Sequence, residues 1–259
     1  MVLPILIKYG VPKKMKKVIF LLTTAIIITV AGVFFRDSYV YLEESFIERK
    51  TEDIDVFLDK VNIKELNRCS NVKSMITVSA SDERLSQLTV FENLDTLEIL
   101  RSKEEISTGG ITMINKQPNL KELGFLYSEA DFNGISNSSV EKIIISASSV
   151  KNLRSIADCG ALKKLILNKS VVDNCIIAEE NIGNDEEPYN FHLRDSSELL
   201  VLNNVEELSL YNIYIEDVSG ICEMDSLKSL IVSEGTISDE AIDQLDEKGI
   251  KVTQKYNDE

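Results

Sequence analysis

The chain has 259 residues, 44% of them hydrophobic, enough for one elongated domain or two small ones with a sizeable core. Its net charge of -15 excludes a nucleic-acid binder, which needs a basic face against phosphate. The charge is uneven: Lys8, Lys13, Lys14, Lys16 and Lys17 stand in residues 1–35 without a single acid, while the remainder is strongly acidic, an asymmetry that points to two compartments.

Val18 to Phe35 is a run of 18 uncharged residues. As a helix it would span about 27 Å, close to the ~30 Å hydrocarbon core of a bilayer. Lysines precede it and Arg36-Asp37 ends it. The positive side stays cytoplasmic, so the rest of the chain is expected outside. A cleaved signal peptide is the alternative, giving a secreted protein. Its only small-residue site, Ala31-Gly32, is poor, and two phenylalanines continue the run. Either Met1 or Met15 could be the start.

Residues 51–61 follow, with Ile54, Phe57, Leu58 and Val61 on one helical face and Thr51 placed as N-cap. They are expected to form a capping helix. Beyond them a triplet of apolar positions, spaced three then two, recurs. It reads Val72, Met75, Thr77; Leu94, Leu97, Ile99; Leu120, Leu123, Phe125; Val140, Ile143, Ile145; Leu162, Leu165, Leu167; Val205, Leu208, Leu210; and Leu227, Leu230, Val232. The middle positions are 22, 26, 20, 22, 43 and 22 residues apart. The 43 suggests two periods, with one degenerate coil near residues 176–191. Asn181 to Asn190 reads as an excursion loop.

The spacing of two suits a strand. Upstream, apolar residues come every third position, as in Ile63, Leu66, Cys69, Val72 or Val218, Ile221, Met224, Leu227. That suits 3₁₀ or polyproline returns. One coil cannot bury its apolar edge alone; stacked coils can, through a parallel sheet. Ser238 to Lys248 is expected to be a closing helix with Ala241, Ile242 and Leu245 inward, ended by Gly249. Ile250-Lys251-Val252 would be the last strand.

These residues resemble the leucine-rich repeat, similar to the bacterial internalin-like class with repeats close to 22 residues. The resemblance implies an α/β solenoid with a parallel sheet on its concave face. The expected organisation is a basic cytoplasmic N-terminus (1–17), a transmembrane signal-anchor helix (18–36), a juxtamembrane segment with the capping helix (37–62), the repeat domain (63–253) and a tail (254–259). Where that family places asparagine beyond the last strand leucine, this chain has Ala80, Ser102, Ser128, Ser148 and Ser170. A hydroxyl makes fewer bonds than an amide, so a less regular ladder is expected.

Little in the chain suggests chemistry. His192 is the only histidine, which argues against a triad or a multi-histidine zinc site. Cys69, Cys159, Cys175 and Cys222 form no C-x-x-C motif; their repeat positions favour burial as small apolar groups over disulfides. The acidic clusters Asp185-Glu186-Glu187 and Asp243, Asp246, Glu247 lack the alternation of a calcium loop. Gly109-Gly110 reads as a turn. No enzyme, cofactor or metal is expected.

The outward residues of the strands are the candidate binding surface. They are Ile76, Glu98, Gly124, Ile144, Ile166, Ser209, Ile231 and Lys251, then Val78, Leu100, Leu126, Ser146, Asn168, Tyr211, Ser233 and Thr253. Ile76, Val78, Leu100, Leu126, Ile144, Ile166, Tyr211 and Ile231 would form an apolar stripe on the concave face, and such patches mark binding sites. The expected function is a membrane-anchored extracytoplasmic repeat protein that binds a protein or peptide. The alternative is an envelope spacer or assembly component with no dedicated ligand.

Overall fold

The computed structural model describes residues 38–42, 45–180 and 189–256, and positions 24, 28–30, 32 and 33, which are helical. The expected anchor thus lies largely outside the described residues, as do Asp185, Glu186 and Glu187. No helix among the described residues is long and apolar enough to cross a membrane.

Nine strands form one parallel sheet. They are Asp53–Phe57, Ser74–Val78, Thr96–Leu100, Glu122–Leu126, Lys142–Ser146, Lys164–Asn168, Glu207–Tyr211, Ser229–Ser233 and Lys251–Lys255. Each pairs with the next in chain order. Every residue of the seven sequence triplets is buried, as are the every-third-residue ladders that lead into them. Alternation puts the triplet leucines on one side and leaves the other side open.

Four expectations need correction. Residues 51–61 hold a strand, Asp53–Phe57, not a capping helix. Ile54, Val56 and Leu58 alternate inward while Asp53, Asp55 and Phe57 face out. Period two, with a partner strand supplying the ladder bonds, outcompetes a four-residue helical stripe. The repeat region therefore starts near residue 53, and a hairpin, Tyr39–Leu42 with Ser45–Glu48, precedes it with Val40 and Leu42 buried.

Second, the spacing of 43 is one coil. Leu165 pairs directly with Leu208. The extra length is an antiparallel hairpin, Ile176–Glu180 with Tyr189–Leu193, laid into a second, six-stranded sheet on the return side. The main sheet loses no strand to it.

Third, the returns are mixed. They include helices Ile63–Leu66, Asp82–Ser86, Thr108–Asn115 and Ser219–Cys222, a 3₁₀ turn at Leu153–Asp158, and the strands of the second sheet. Coils longer than the minimum have room for a helical turn. Fourth, Val252, not Ile250, is the partner of Leu230, so Thr253 and not Lys251 stands beside Ile231. Gly249, at φ 78°, closes the helix Asp239–Glu247, and Ile250 donates its N–H to Leu245 and turns inward before the strand begins.

Of the five positions, Ala80 has no hydroxyl and, among the described residues, Ser102 Oγ accepts only from Glu129 N at 3.0 Å, but Ser128, Ser148 and Ser170 make a regular ladder. Ser128 Oγ lies 2.9 Å from the Leu126 carbonyl and 3.1 Å from that of Ile99, and accepts from Ser102 N at 3.1 Å. Ser148 Oγ repeats this with Ser146, Phe125 and the amide of Ser128. Ser170 Oγ reaches the carbonyls of Asn168 and Ile145. One donor and two lone pairs suffice in these three coils because each of the three serines sits at the same place in its coil.

Candidate functional site: the open face of the sheet

The open face is a grid of three rows across nine strands. The first row is Asp53, Ser74, Thr96, Glu122, Lys142, Lys164, Glu207, Ser229, Lys251; the second is Asp55, Ile76, Glu98, Gly124, Ile144, Ile166, Ser209, Ile231, Thr253; the third is Phe57, Val78, Leu100, Leu126, Ser146, Asn168, Tyr211, Ser233, Lys255. Adjacent strands stand about 4.8 Å apart, so neighbours within a row touch.

The register sorts the eight apolar candidates into two groups. Val78, Leu100 and Leu126 continue from Phe57 along the third row, with Ile76 beside them. Ile144 and Ile166 are neighbours in the second row, and Ile231 follows one strand beyond Ser209. Tyr211 stands on the Ser209 strand. All eight are half-buried, because each is shielded by the next. Sequence reasoning missed Phe57, 43% exposed, by assigning it to a helix.

Charge on this face is ordered too. Lys142 Nζ lies 2.9 Å from Glu122 Oε1, and Lys164 pairs with Glu207. In the third row Asn168 donates to Ser146 Oγ at 3.2 Å and accepts from Asn212 Nδ2 at 2.9 Å. Ser209 is 1% exposed and its hydroxyl has no hydrogen-bond partner among the described residues. Just past the third row, Ser79, Arg101, Tyr127, Ala147, Lys169 and Asn212 all have φ between 46° and 56°. A left-handed residue there in six coils turns the chain from strand to return, and only Asn212 is of a type that favours it. The turn throws Tyr127 outward, 60% exposed, with the Arg101 guanidinium 5.8 Å from its ring centre.

The polar residues singled out from sequence lie elsewhere. His192 sits on the inserted hairpin, Nδ1 2.6 Å from Glu216 Oε1 and Nε2 4.0 Å from Glu179 Oε2, its ring stacked on Tyr214. Arg194 pairs with Glu179 and reaches Glu216 at 3.8 Å. Both carboxylates are thus shared with a cation. No group of three or more metal-ligating side chains occurs among the described residues.

Gly109 and Gly110 are more than a turn: they open the helix Thr108–Asn115, and Asp82 accepts from the amides of Ser107 (2.7 Å), Gly109 (2.9 Å) and Gly110 (2.8 Å). A Cβ on Gly109 would stand 2.7 Å from Asp82 Oδ2. Cys69, Cys159 and Cys175 are buried free thiols; Cys222 is free and partly accessible. Burial pushes the Cys69 and Cys159 thiols up to about 11 and that of Cys175 up to about 12.

This stacking of strand and return, with the triplet leucines inward, defines a leucine-rich-repeat solenoid. The fold is similar to that of internalin C2 from Listeria monocytogenes, with a TM-score of 0.51 and 15% identity over 82% of this chain and 86% of that one. Two further solved structures align more loosely, both at a TM-score of 0.34. One is the Listeria monocytogenes internalin inlF, 15% identical over 76% of this chain and 71% of that chain. The other is the plant peptide hormone receptor RGFR1 in complex with RGF2, 12% identical over 78% of this chain and 39% of that one. No protein-family profile and no curated protein matches the chain.

Proposed function

We propose that this is a membrane-anchored repeat protein whose open sheet face binds a protein or peptide outside the cytoplasm, without catalysis. The observation that carries the binding role is the pair of apolar groups on that face, built from adjacent strands and left half-uncovered. Aliphatic residues scattered singly would need no explanation, but contiguous ones rimmed by polar side chains do. Anchoring is supported by the lysine-flanked run 18–35 and by Ile28, Val30 and Val33, which are helical and more than half exposed. Such side chains suit lipid better than water.

Two experiments test this reading. A photo-reactive residue at Leu100 or Ile166 should crosslink a discrete partner in native membranes, and one at Asp243 on the closing helix should not; no crosslink from any position on the face would refute the binding role. Protease treatment of intact cells should release peptides from residues 53–255 while leaving 18–35 in the membrane. Full protection until lysis would refute the orientation.

A further inference from the structure

The third row carries Phe57, Val78, Leu100 and Leu126 on four consecutive strands. Beside it, the second row carries Asp55 and Glu98, two strands apart, with Ile76 between. Asp53 lies in the first row, and Asp53 and Asp55 are exposed. Among the described residues none of these three carboxylates pairs with a basic side chain, whereas Glu122 and Glu207 on the same face do. The basic groups nearby are engaged at the outer rim: Lys60 over the Phe57 ring at 4.8 Å, Arg101 over Tyr127, and Lys103 on Asp59 at 2.7 Å. The first four coils therefore present an apolar stripe with free negative charge along one side. At the other end of the face the charge inverts, with Lys251 and Lys255 on the last strand.

Geometry narrows the occupant further. Two strand spacings put Asp55 and Glu98 about 9.6 Å apart. Three residues of polyproline II chain advance about 9.3 Å and return to the same side. A chain crossing the strands in that conformation would set every third residue over the second row, one of the two between them over the third, and the other toward solvent. Gly124 lets the flanking side chains close over it: a Cβ there would meet Glu98 Cγ at 3.1 Å and Leu126 Cδ1 at 3.2 Å, so the Glu98 stem and Leu126 lie side by side on the face.

We propose that the face of the first four coils takes an extended segment of a partner protein with a basic residue at every third position and an apolar residue beside it. This rests on the binding role proposed for the face, and adds the chemistry of what binds and where. The basic residues would meet Asp55 and Glu98; the apolar ones would lie on Val78, Leu100 and Leu126. The segment's own basic charge would also be drawn to a chain of net charge -15.

The test is fluorescence anisotropy with the full chain in mild detergent. The probe is a labelled peptide repeating the triplet lysine–leucine–serine. Its controls are a peptide of the same composition with the lysines clustered, and a version with glutamate for lysine. The triplet peptide should bind, and the double variant Asp55→Asn, Glu98→Gln should weaken it by about tenfold or more. The control variant Asp243→Asn, Glu247→Gln should change nothing. Equal binding of the clustered peptide, or equal losses in the two variants, would show unspecific charge attraction and overturn the proposal. So would binding that the Asp55, Glu98 variant leaves intact. If crosslinks from Leu100 persist in any of these cases, only the proposed chemistry fails and the binding role stands.

Discussion

Asp217 offers the sharpest test of how the long coil is held. One carboxylate accepts from Ser196 N at 2.8 Å, Ser196 Oγ at 2.7 Å and Ser219 N at 3.0 Å. Ser196 Oγ in turn accepts from Gly220 N at 2.7 Å. Asp217 thus ties the chain leaving the inserted hairpin to the helix of the next coil. Burial by itself would raise its pKa, but the hydrogen bonds from Ser196 and Ser219 outweigh it and bring it from 3.8 to about 2. Taken at face value that difference is worth about 2.4 kcal/mol. The carboxylate is partly open to water, and screening reduces this to about 1–1.5 kcal/mol. Asp217→Asn keeps one acceptor and loses the charge. Because repeats can open locally, amide hydrogen exchange read at Ser196 and Ser219 is the right assay. The variant should exchange up to about tenfold faster at neutral pH. The sign in pH follows from the lowered folded value: the contribution is complete above the unfolded value of 3.8 and is lost as pH falls through about 2. The variant-to-wild-type ratio should therefore approach one at pH 2. A ratio of one at neutral pH, or one that stays constant down to pH 2, would refute the account.

Other consequences are measurable. Gly109→Ala should cost about 1–3 kcal/mol in urea denaturation, since its Cβ would stand 2.7 Å from Asp82 Oδ2 and displace the cap; an unchanged midpoint would mean that the contact yields freely. Ser209→Ala should stabilise the chain by about 1 kcal/mol, because it removes a buried hydroxyl without a partner, and a lower melting temperature would contradict this. A maleimide should modify one thiol quickly, Cys222, and the other three only after unfolding, which mass spectrometry would resolve. Ile144→Asp with Ile166→Asp should abolish partner crosslinking while lowering the melting temperature little, since both side chains point away from the core; intact crosslinking would count against the second-row group.

The parallel sheet was legible because its signal is covalent in the pattern: leucines spaced three then two have only one way to share a side. The closing helix was legible from Ser238, whose hydroxyl accepts from Ala241 N at 3.2 Å, and from Gly249; Ala241 and Leu245 turn inward as expected, but Ile242 is only half-buried. Asp53–Phe57 was misread because Ile54, Phe57, Leu58 and Val61 fit a helical stripe as well as Ile54, Val56 and Leu58 fit a strand. Only the neighbouring strand decides between them. The hairpin escaped because a coil of double length and two coils leave the same spacing, and pairing of Leu165 with Leu208 is a tertiary fact. The eight apolar candidates could be named from the repeat, but their division into two groups, and the free carboxylates beside the first, depend on register between strands.

The uneven coil also gives the molecule a mechanical signature. Peeled from the last strand by a steady pull, a parallel stack of this kind surrenders one coil at a time. A coil of 22 residues would lengthen the tether by about 75 Å, at ~3.4 Å per residue. The coil from Leu165 to Leu208 would release about 145 Å in a single step if the inserted hairpin and its remaining second-sheet partners let go together. A force–extension trace would then show one stride of nearly twice the usual length, the third in order from the C-terminus, and its position would mark where the hairpin was laid in.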